Sequence, residues 1–150
     1  MAARTDMSLA SLLSGMALAN AGLGAVHGFA AAIGGMFPAP HGAVCAALLP
    51  HVMEANIRLL RERRPEPDNL FRYRQIACVL TNRDTAEAED GIVRVRETCR
   101  EFQIPGLRSY GIGAADVEIV CEKAASASSM KPNPVVLPIV TLRGILEQAL

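Results

Sequence analysis

The run from Met7 to Met53 contains no Asp, Glu, Lys or Arg. A membrane span needs about 20 consecutive apolar residues, but Ser, Asn, Gly, Pro and His interrupt this run. It also lacks the basic flank that orients a membrane helix. Helices that are apolar on all sides are buried inside a protein or a membrane. We therefore predict that this run forms the central helices of a globular domain, with a membrane hairpin as the alternative.

Composition narrows the class of protein. The chain has 150 residues, enough for one domain, and its 15 basic residues balance its 15 acidic residues. Nucleic-acid surfaces need clustered excess Lys and Arg, so we expect no nucleic-acid partner. Hydrophobic residues make up 51% and aromatic residues only 4%. With alanine and leucine prominent, this composition favours packed helices over a β-sandwich.

The four cysteines are widely spaced, without a Cys-x-x-Cys pair. A zinc ribbon or a thioredoxin-like site is therefore not indicated. The start of the sequence, "MAARTDMSL", does not resemble a cleavable signal peptide. We expect a cytoplasmic protein with reduced thiols.

The first half of the sequence reads as helices separated by Gly and Pro. Residues 8 to 35 are predicted to be helical, divided near Gly22 and Gly24. Pro38 and Pro40 force a break, and a helix is predicted to start just after His41. Pro50 either kinks that helix or begins a new one. One helical stripe is formed by Leu9, Leu13, Met16, Asn20, Leu23 and His27.

The second half is predicted to consist of amphipathic helices. Residues 64 to 69, "RPEPDN", are predicted to be a linker, with Asp68 or Asn69 as the next N-cap. Further breaks are predicted at "TNRDT", "IPGLRSYGIG" and "SSMKPNPVVLP", and no segment alternates like a strand. The fold class is therefore all-α, with about six to eight helices. The four apolar faces are Leu70, Tyr73, Ala77 and Leu80; Ile92, Val95, Cys99 and Phe102; Val117, Val120, Cys121 and Ala124; and Leu142, Ile145, Leu146 and Ala149.

Two of the three histidines lie in the uncharged run. His27 falls on a predicted helix and His41 at a proline-enforced break. A chain reversal at "MFPAP" could bring the rings together, and neutral imidazole is the commonest transition-metal ligand. A catalytic metal site usually has three protein ligands, so two histidines are not enough alone. The alternative is that both are satisfied core residues.

Other polar side chains offer weaker candidates. His41 and Cys45 are spaced to face one way on a helix, where they could bind zinc or activate a thiolate, although Cys45 also suits a small core position. His51 is expected to be exposed. Asn20 and Asn56 lie on apolar stripes, and if buried they need hydrogen-bond partners. They could then join chain segments or orient a ligand.

The stretch "GAVHGFAAAIGGMFPAPHGAVCAALLPHVMEAN" resembles the signature of iron-containing (group III) alcohol dehydrogenases, a family related to glycerol dehydrogenase and dehydroquinate synthase. The matching parts are His27, "IGG", "PHG" at 40 to 42, "LLP" at 48 to 50, and Asn56. The preceding "MSLASLLSGMALANAGLG" and the final "NPVVLPIVTLRGILEQAL" are also similar, so the resemblance covers nearly the whole chain.

The resemblance implies that residues 1–150 form the C-terminal all-α, metal-binding domain of such an enzyme. It implies His27 and His41 as ligands of a divalent metal, Fe²⁺ or else Zn²⁺. The family's other two ligands, an Asp and a His, have no counterpart here. Many members carry a further His where this chain has Ala31. Some subgroups lack that His, so Ala31 indicates such a subgroup. The family's N-terminal domain binds NAD(P) through a Gly-rich turn, and we find no such turn in this sequence.

The implied activity is the interconversion of small alcohols and aldehydes by hydride transfer. We expect the 150 residues alone to bind metal weakly and to be inactive. The implied partners are a dinucleotide-binding half or a second copy of the chain. The alternative is a catalytically inactive helical scaffold or interaction module derived from the family.

Overall fold

The computed structural model describes residues 1–63 and 67–150, which form seven α-helices and no strand. Three short 3-10 helices, Leu107–Tyr110, Ala114–Asp116 and Ser128–Met130, connect the later helices. The predicted all-α class and number of helices are thus confirmed. The helices are α1 (Ala2–Ala21), α2 (Ala25–Gly34), α3 (His41–Arg63), α4 (Pro67–Thr81), α5 (Ala88–Glu101), α6 (Val117–Ser126) and α7 (Ile139–Ala149).

The core is built around α2 and α3, as the uncharged run predicts. Helix α2 packs against α3 and α6, and α7 packs against α3 and α6. A smaller cluster of Met53, Ile57, Ala88 and Ile92 joins α5 to α3. The apolar faces predicted for α6 and α7 are buried. Leu80 and Phe102, the last residues of the faces predicted for α4 and α5, are exposed instead. Large side chains at the centre of the main core include Phe29, Ile33, Leu48, Val120, Leu142 and Leu146.

Helix α1 does not join this core, so its predicted central place is wrong. No side chain of α1 is buried, and Leu9, Leu13 and Met16 are each more than half exposed. The predicted break is confirmed at Gly22, whose φ of 75° is readily available to glycine. Helices α1 and α2 are bent by 102° at this break, which directs α1 away from the core.

One helix in the described ranges is long and apolar enough to cross a membrane, the stretch His41–Glu62 of α3. Of its most apolar window, 56% is buried inside the domain, as in the core helix of a globular protein. Helices α1 and α2 pass the same test only if they are counted together across their bend.

Helix α3 continues through Pro50, so the alternative of a new helix at this residue is wrong. A proline has no N–H to donate, which leaves the carbonyl of Ala46, four residues earlier, without its helical partner. The thiol of Cys99 on α5 lies 3.5 Å from that oxygen and donates to it. A contact distant in sequence thus supports the helix at its weakest point.

Two predicted helix starts are displaced. Helix α3 begins at His41 itself rather than just after it. Of the predicted linker, residues 64–66 lie outside the described residues, whereas 67–69 are helical because α4 begins at Pro67. Asp68 and Asn69 are therefore not N-caps. Proline suits the first helical position, and Asp68 complements the helix dipole in the first turn.

Candidate metal centre

A tight turn between α2 and α3 fixes the position of His41. The N–H groups of Met36 and Phe37 donate to Ile33 O at 2.9 and 2.8 Å, which closes α2. The carbonyl of Pro40 accepts from Ala43 and Val44 at 3.0 and 3.1 Å, which opens α3. The two prolines stiffen the segment between these bonds. His41 is thus held at the first position of a rigid helix.

The turn brings the two histidines of the uncharged run together, as the "MFPAP" reversal predicts. The ring centroids of His27 and His41 are 5.4 Å apart, with the ring planes tilted by 47°. His27 is half-buried and His41 is exposed. The pair therefore lies at the edge of the core, where both rings can reach one ion from the surface.

Cys45 lies beside the two imidazoles. It follows His41 by one helical turn, and its Sγ is 3.5 Å from His41 Nε2. One donor atom from each of His27, His41 and Cys45 lies within 4.8 Å of the other two. The sequence offers the His41–Cys45 pair as an alternative pairing, but it does not predict that His27 joins it.

The electrostatics of this cluster favour neutral side chains. Burial, and after it the neighbouring His41, lowers the pKa of His27. Burial raises the pKa of the Cys45 thiol. No Asp or Glu belongs to this group in the part of the chain that the structure describes. The cluster thus offers nitrogen and sulfur donors without a fixed negative charge.

An amide network holds the start of α2. Asn133 Oδ1 accepts from the backbone N–H of Ala25 at 3.1 Å, and Asn133 Nδ2 donates to Asn56 Oδ1 at 2.8 Å. Asn56 Nδ2 donates to Tyr73 Oη at 2.9 Å. The expected partners of buried Asn56 are therefore present. This network fixes α2 two residues before His27, and nothing local in the sequence pairs Asn56 with a residue so far along the chain.

A cleft of about 420 Å³ runs from His27 and Cys45 to this amide network. Its lining is mainly apolar, and a site of this kind can exclude water from a small bound molecule. The cleft has room for a small molecule beside His27 and Cys45. Its walls include His27, Cys45, Leu49, Val52, Met53 and Tyr73.

The remaining candidates lie elsewhere. His51 is half-buried rather than exposed as predicted, and its Nδ1 lies 3.1 Å from Gln148 Oε1. Asn20 is exposed and donates to Met16 O at 2.7 Å within its own helix. Neither residue belongs to the cluster of His27, His41 and Cys45.

Comparisons with known proteins agree with this fold. The alcohol dehydrogenase 4 of Saccharomyces cerevisiae is 34% identical over 148 residues, covering 98% of this chain and 37% of its own length. The 1,3-propanediol dehydrogenase of Klebsiella pneumoniae is 35% identical over 134 residues, covering 88% of this chain and 33% of its own. A crystal structure of 1,3-propanediol oxidoreductase superposes with a TM-score of 0.78 at 29% identity, covering 96% of this chain and 37% of the other.

The chain thus spans only about a third of the length of these relatives. A family model described as "Fe-containing alcohol dehydrogenase family, C-terminal" matches residues 1–150. That match covers both histidines, the turn between them and the Asn-Pro segment at 133–134. The chain therefore belongs to the iron-containing alcohol dehydrogenase family and corresponds to its C-terminal, all-α part.

Proposed function

We propose that this chain is the metal-binding domain of an NAD(P)-dependent alcohol dehydrogenase. The reaction is the interconversion of a small alcohol and its aldehyde or ketone by hydride transfer. Residues 1–150 act as one domain in this proposal, and His27 and His41 are the metal ligands. Family membership supports the reaction class, and the two named relatives are by their names dehydrogenases of an alcohol and of 1,3-propanediol.

The proposal rests mainly on the closeness of His27 and His41. They belong to two different helices, and their ring centroids are 5.4 Å apart. The donor set suits a divalent transition metal, because imidazole binds iron and zinc, whereas Mg²⁺ and Ca²⁺ prefer oxygen ligands. The family points to Fe²⁺, with Zn²⁺ as the alternative. The uncharged surroundings strengthen the electrostatic interactions of a bound ion, because fewer polar groups screen it.

A bound divalent ion would supply Lewis-acid stabilisation of the oxygen that becomes the alkoxide or carbonyl oxygen. The chain's own residues supply position and surroundings. His27 and His41 each bring one ring nitrogen to within 4.8 Å of the other, and the amide of Asn133 fixes the helix that carries His27. Leu49, Val52 and Met53 form the apolar wall against which the carbon chain of a small alcohol packs, which excludes water.

The partner in this proposal is a dinucleotide-binding half of the kind that the family carries. It supplies the NAD(P) site and the remaining metal ligands, either on the same polypeptide or on another. The 150 residues alone are then inactive, and NAD(P)-linked oxidation of an alcohol by them would contradict this. We also propose a cytoplasmic location, which suits the four cysteines, all of them free thiols.

The test is the metal content per chain, measured by elemental mass spectrometry after anaerobic equilibration with Fe²⁺ or Zn²⁺. We expect the native chain to bind metal weakly, and His27→Ala and His41→Ala to bind measurably less of it. His51→Ala is the matched control, because His51 lies on the same helix as His41 but outside the cluster. Equal retention by the native chain and His41→Ala, or no retention by the native chain, would contradict the proposed site.

A second candidate is a helical interaction module without catalysis. It is favoured by α1, which presents Leu12, Leu13 and Met16 to solvent with no buried side chain. Apolar surface of this kind typically marks a contact with another protein or a second copy. Light scattering, which measures the oligomeric state, and the metal content together distinguish the interaction module from the enzyme domain. A metal-free chain that forms a stable oligomer is a scaffold, whereas a metal-binding chain supports the enzyme domain.

A further inference from the structure

Two imidazoles alone are an incomplete metal site. Catalytic zinc sites have three protein ligands and one open position, and a histidine binds a metal through a neutral ring nitrogen. Two neutral ligands leave the full charge of a divalent ion uncompensated. No carboxylate joins the cluster within the described ranges, and Cys45 is the remaining donor in it. The question is whether its thiol lies where a third ligand must lie.

The geometry can be compared with a bound ion. Zinc–nitrogen bonds of about 2.0–2.1 Å and zinc–sulfur bonds of about 2.3 Å, at tetrahedral angles, put nitrogen and sulfur ligands about 3.6 Å apart. His41 Nε2 and Cys45 Sγ are separated by 3.5 Å. The helix sets this separation, because residues four apart lie on one face. This pair therefore has the separation of two ligands of one ion.

The third donor also lies within reach. All three donor atoms are within 4.8 Å of one another, and two nitrogen ligands of a tetrahedral zinc ion are about 3.4 Å apart. Closing the triangle thus needs movements of at most about 1.4 Å, which rotation about side-chain bonds can supply. Exposed His41 has the freedom to make that movement.

The ordinary alternative is a small thiol at the edge of the core that shares a weak hydrogen bond with His41. One observation and one chemical argument favour a ligand. Cys45 lines the same cleft as His27, instead of being enclosed like Cys121, which is fully buried. A thiolate also supplies the negative charge that the two imidazoles lack. A bound metal commonly deprotonates a coordinating thiol, so its proton would pass to solvent.

We propose that Cys45 is the third protein ligand of the metal bound by His27 and His41. This chain then contributes a His2Cys set of donors, and the remaining positions are left for ligands of the dinucleotide-binding half and for water or substrate. Sulfur and nitrogen donors favour zinc over the oxygen-preferring cations. This inference rests on the proposed function, because it presupposes that the two histidines bind a metal ion.

The test uses cobalt(II) as a coloured substitute for zinc. The purified 150-residue chain is reduced, made metal-free and titrated with cobalt(II) under anaerobic conditions. A thiolate ligand produces a charge-transfer absorption band in the near ultraviolet, which nitrogen and oxygen ligands do not produce. We expect this band in the native chain, its loss in Cys45→Ser and its retention in Cys78→Ser.

Cys78 is the matched control, because it is also a half-buried thiol but lies on α4, where its Sγ is 3.5 Å from Asp84 O. Zinc affinity is measured in parallel by competition with a coloured chelator. We expect Cys45→Ser to weaken zinc binding at least about tenfold, since losing even an outer-shell partner costs about 10–100-fold. Cys78→Ser is expected to bind zinc as the native chain does.

The outcomes separate this inference from the proposed function. If Cys45→Ser keeps the band and the affinity while His41→Ala loses both, Cys45 is not a ligand and the histidine site stands. If the native chain binds neither metal, both proposals fail. If Cys45→Ser does not fold by circular dichroism, X-ray absorption of the zinc-loaded native chain decides. A sulfur neighbour at about 2.3 Å supports the inference, and nitrogen and oxygen neighbours alone overturn it.

Discussion

Two side-chain amides join the helix that carries His27 to the helix that carries His41. Asn56 and Asn133 bond to each other in both directions, at 3.2 and 2.8 Å. Asn133 also donates to Val135 O at 2.7 Å and accepts from Ala25 N at 3.1 Å. Asn56 is only 2% exposed, so water cannot replace its partners. The position of α2 therefore depends on one side chain from a distant loop.

Replacing Asn133 with alanine should destabilise the domain. The change leaves the N–H of Ala25 and part of the Asn56 amide without partners, and an unpaired buried group costs about 1–3 kcal/mol. We expect the free energy of unfolding in urea to fall by about 2–3 kcal/mol. Asn20→Ala is the control, because its bond lies on the surface, and it should change stability by under about 0.5 kcal/mol. Equal losses for both variants would refute this role of Asn133.

Single residues were predictable from the sequence only where the relevant contact is local. The proline-rich turn lies between His27 and His41, so the approach of the two rings could be predicted. The place of Cys45 beside His27 could not be predicted, because nothing in the spacing shows which face of α3 turns towards α2. The partnership of Asn56 and Asn133 spans 77 positions, and no local pattern encodes it.

Two glycines in helix interiors meet opposite surroundings. A Cβ atom added at Gly91 in α5 would lie 3.1 Å from the Cβ and 3.3 Å from the Cα of Ala77 in α4. Ala77 is fully buried, so its backbone cannot easily give way. A Cβ atom added at Gly144 in α7 would meet nothing within 4 Å. The first glycine thus lets two helices approach closely, and the second does not.

The Gly→Ala substitutions at these positions should have opposite effects. Alanine favours a helix interior by about 0.8–1.0 kcal/mol over glycine, so Gly144→Ala should stabilise the domain by up to about 1 kcal/mol. At Gly91 the same gain is outweighed by overpacking, which costs about 1–3 kcal/mol, so Gly91→Ala should destabilise by about 1–2 kcal/mol. Thermal unfolding of the two variants side by side measures the difference. A stabilising Gly91→Ala would show that α4 and α5 are not tightly packed.

Helices were predictable as elements because periodic apolar residues, Gly and Pro are local signals. The contacts that each helix makes with the rest of the fold could not be predicted. Where helix α3 passes through Pro50, Cys99 donates to the carbonyl of Ala46 that the proline leaves unpaired, and that contact joins two separate helices. Helix α4 starts earlier than its polar residues suggest, because Pro67 suits the first helical position.

The whole molecule combines a packed domain with one helix that lies outside it. A helix without tertiary packing is only marginally stable in water, even at 20 residues. We expect backbone amide hydrogen–deuterium exchange, detected by mass spectrometry, to be much faster in α1 than in α2 or α6. The reason is that amide protection follows local stability, which here depends on burial. Slow exchange in α1 would mean that another molecule covers it in solution.

The uncharged run has a practical consequence for limited proteolysis. Trypsin needs a Lys or Arg side chain in its specificity pocket, and the sequence has neither between Arg4 and Arg58. Beyond Arg4, helix α1 therefore offers trypsin no cleavage site, although none of its side chains is buried. A protease that accepts leucine or methionine has several sites there. Trypsin resistance of the first third would reflect missing cleavage sites rather than a stable fold.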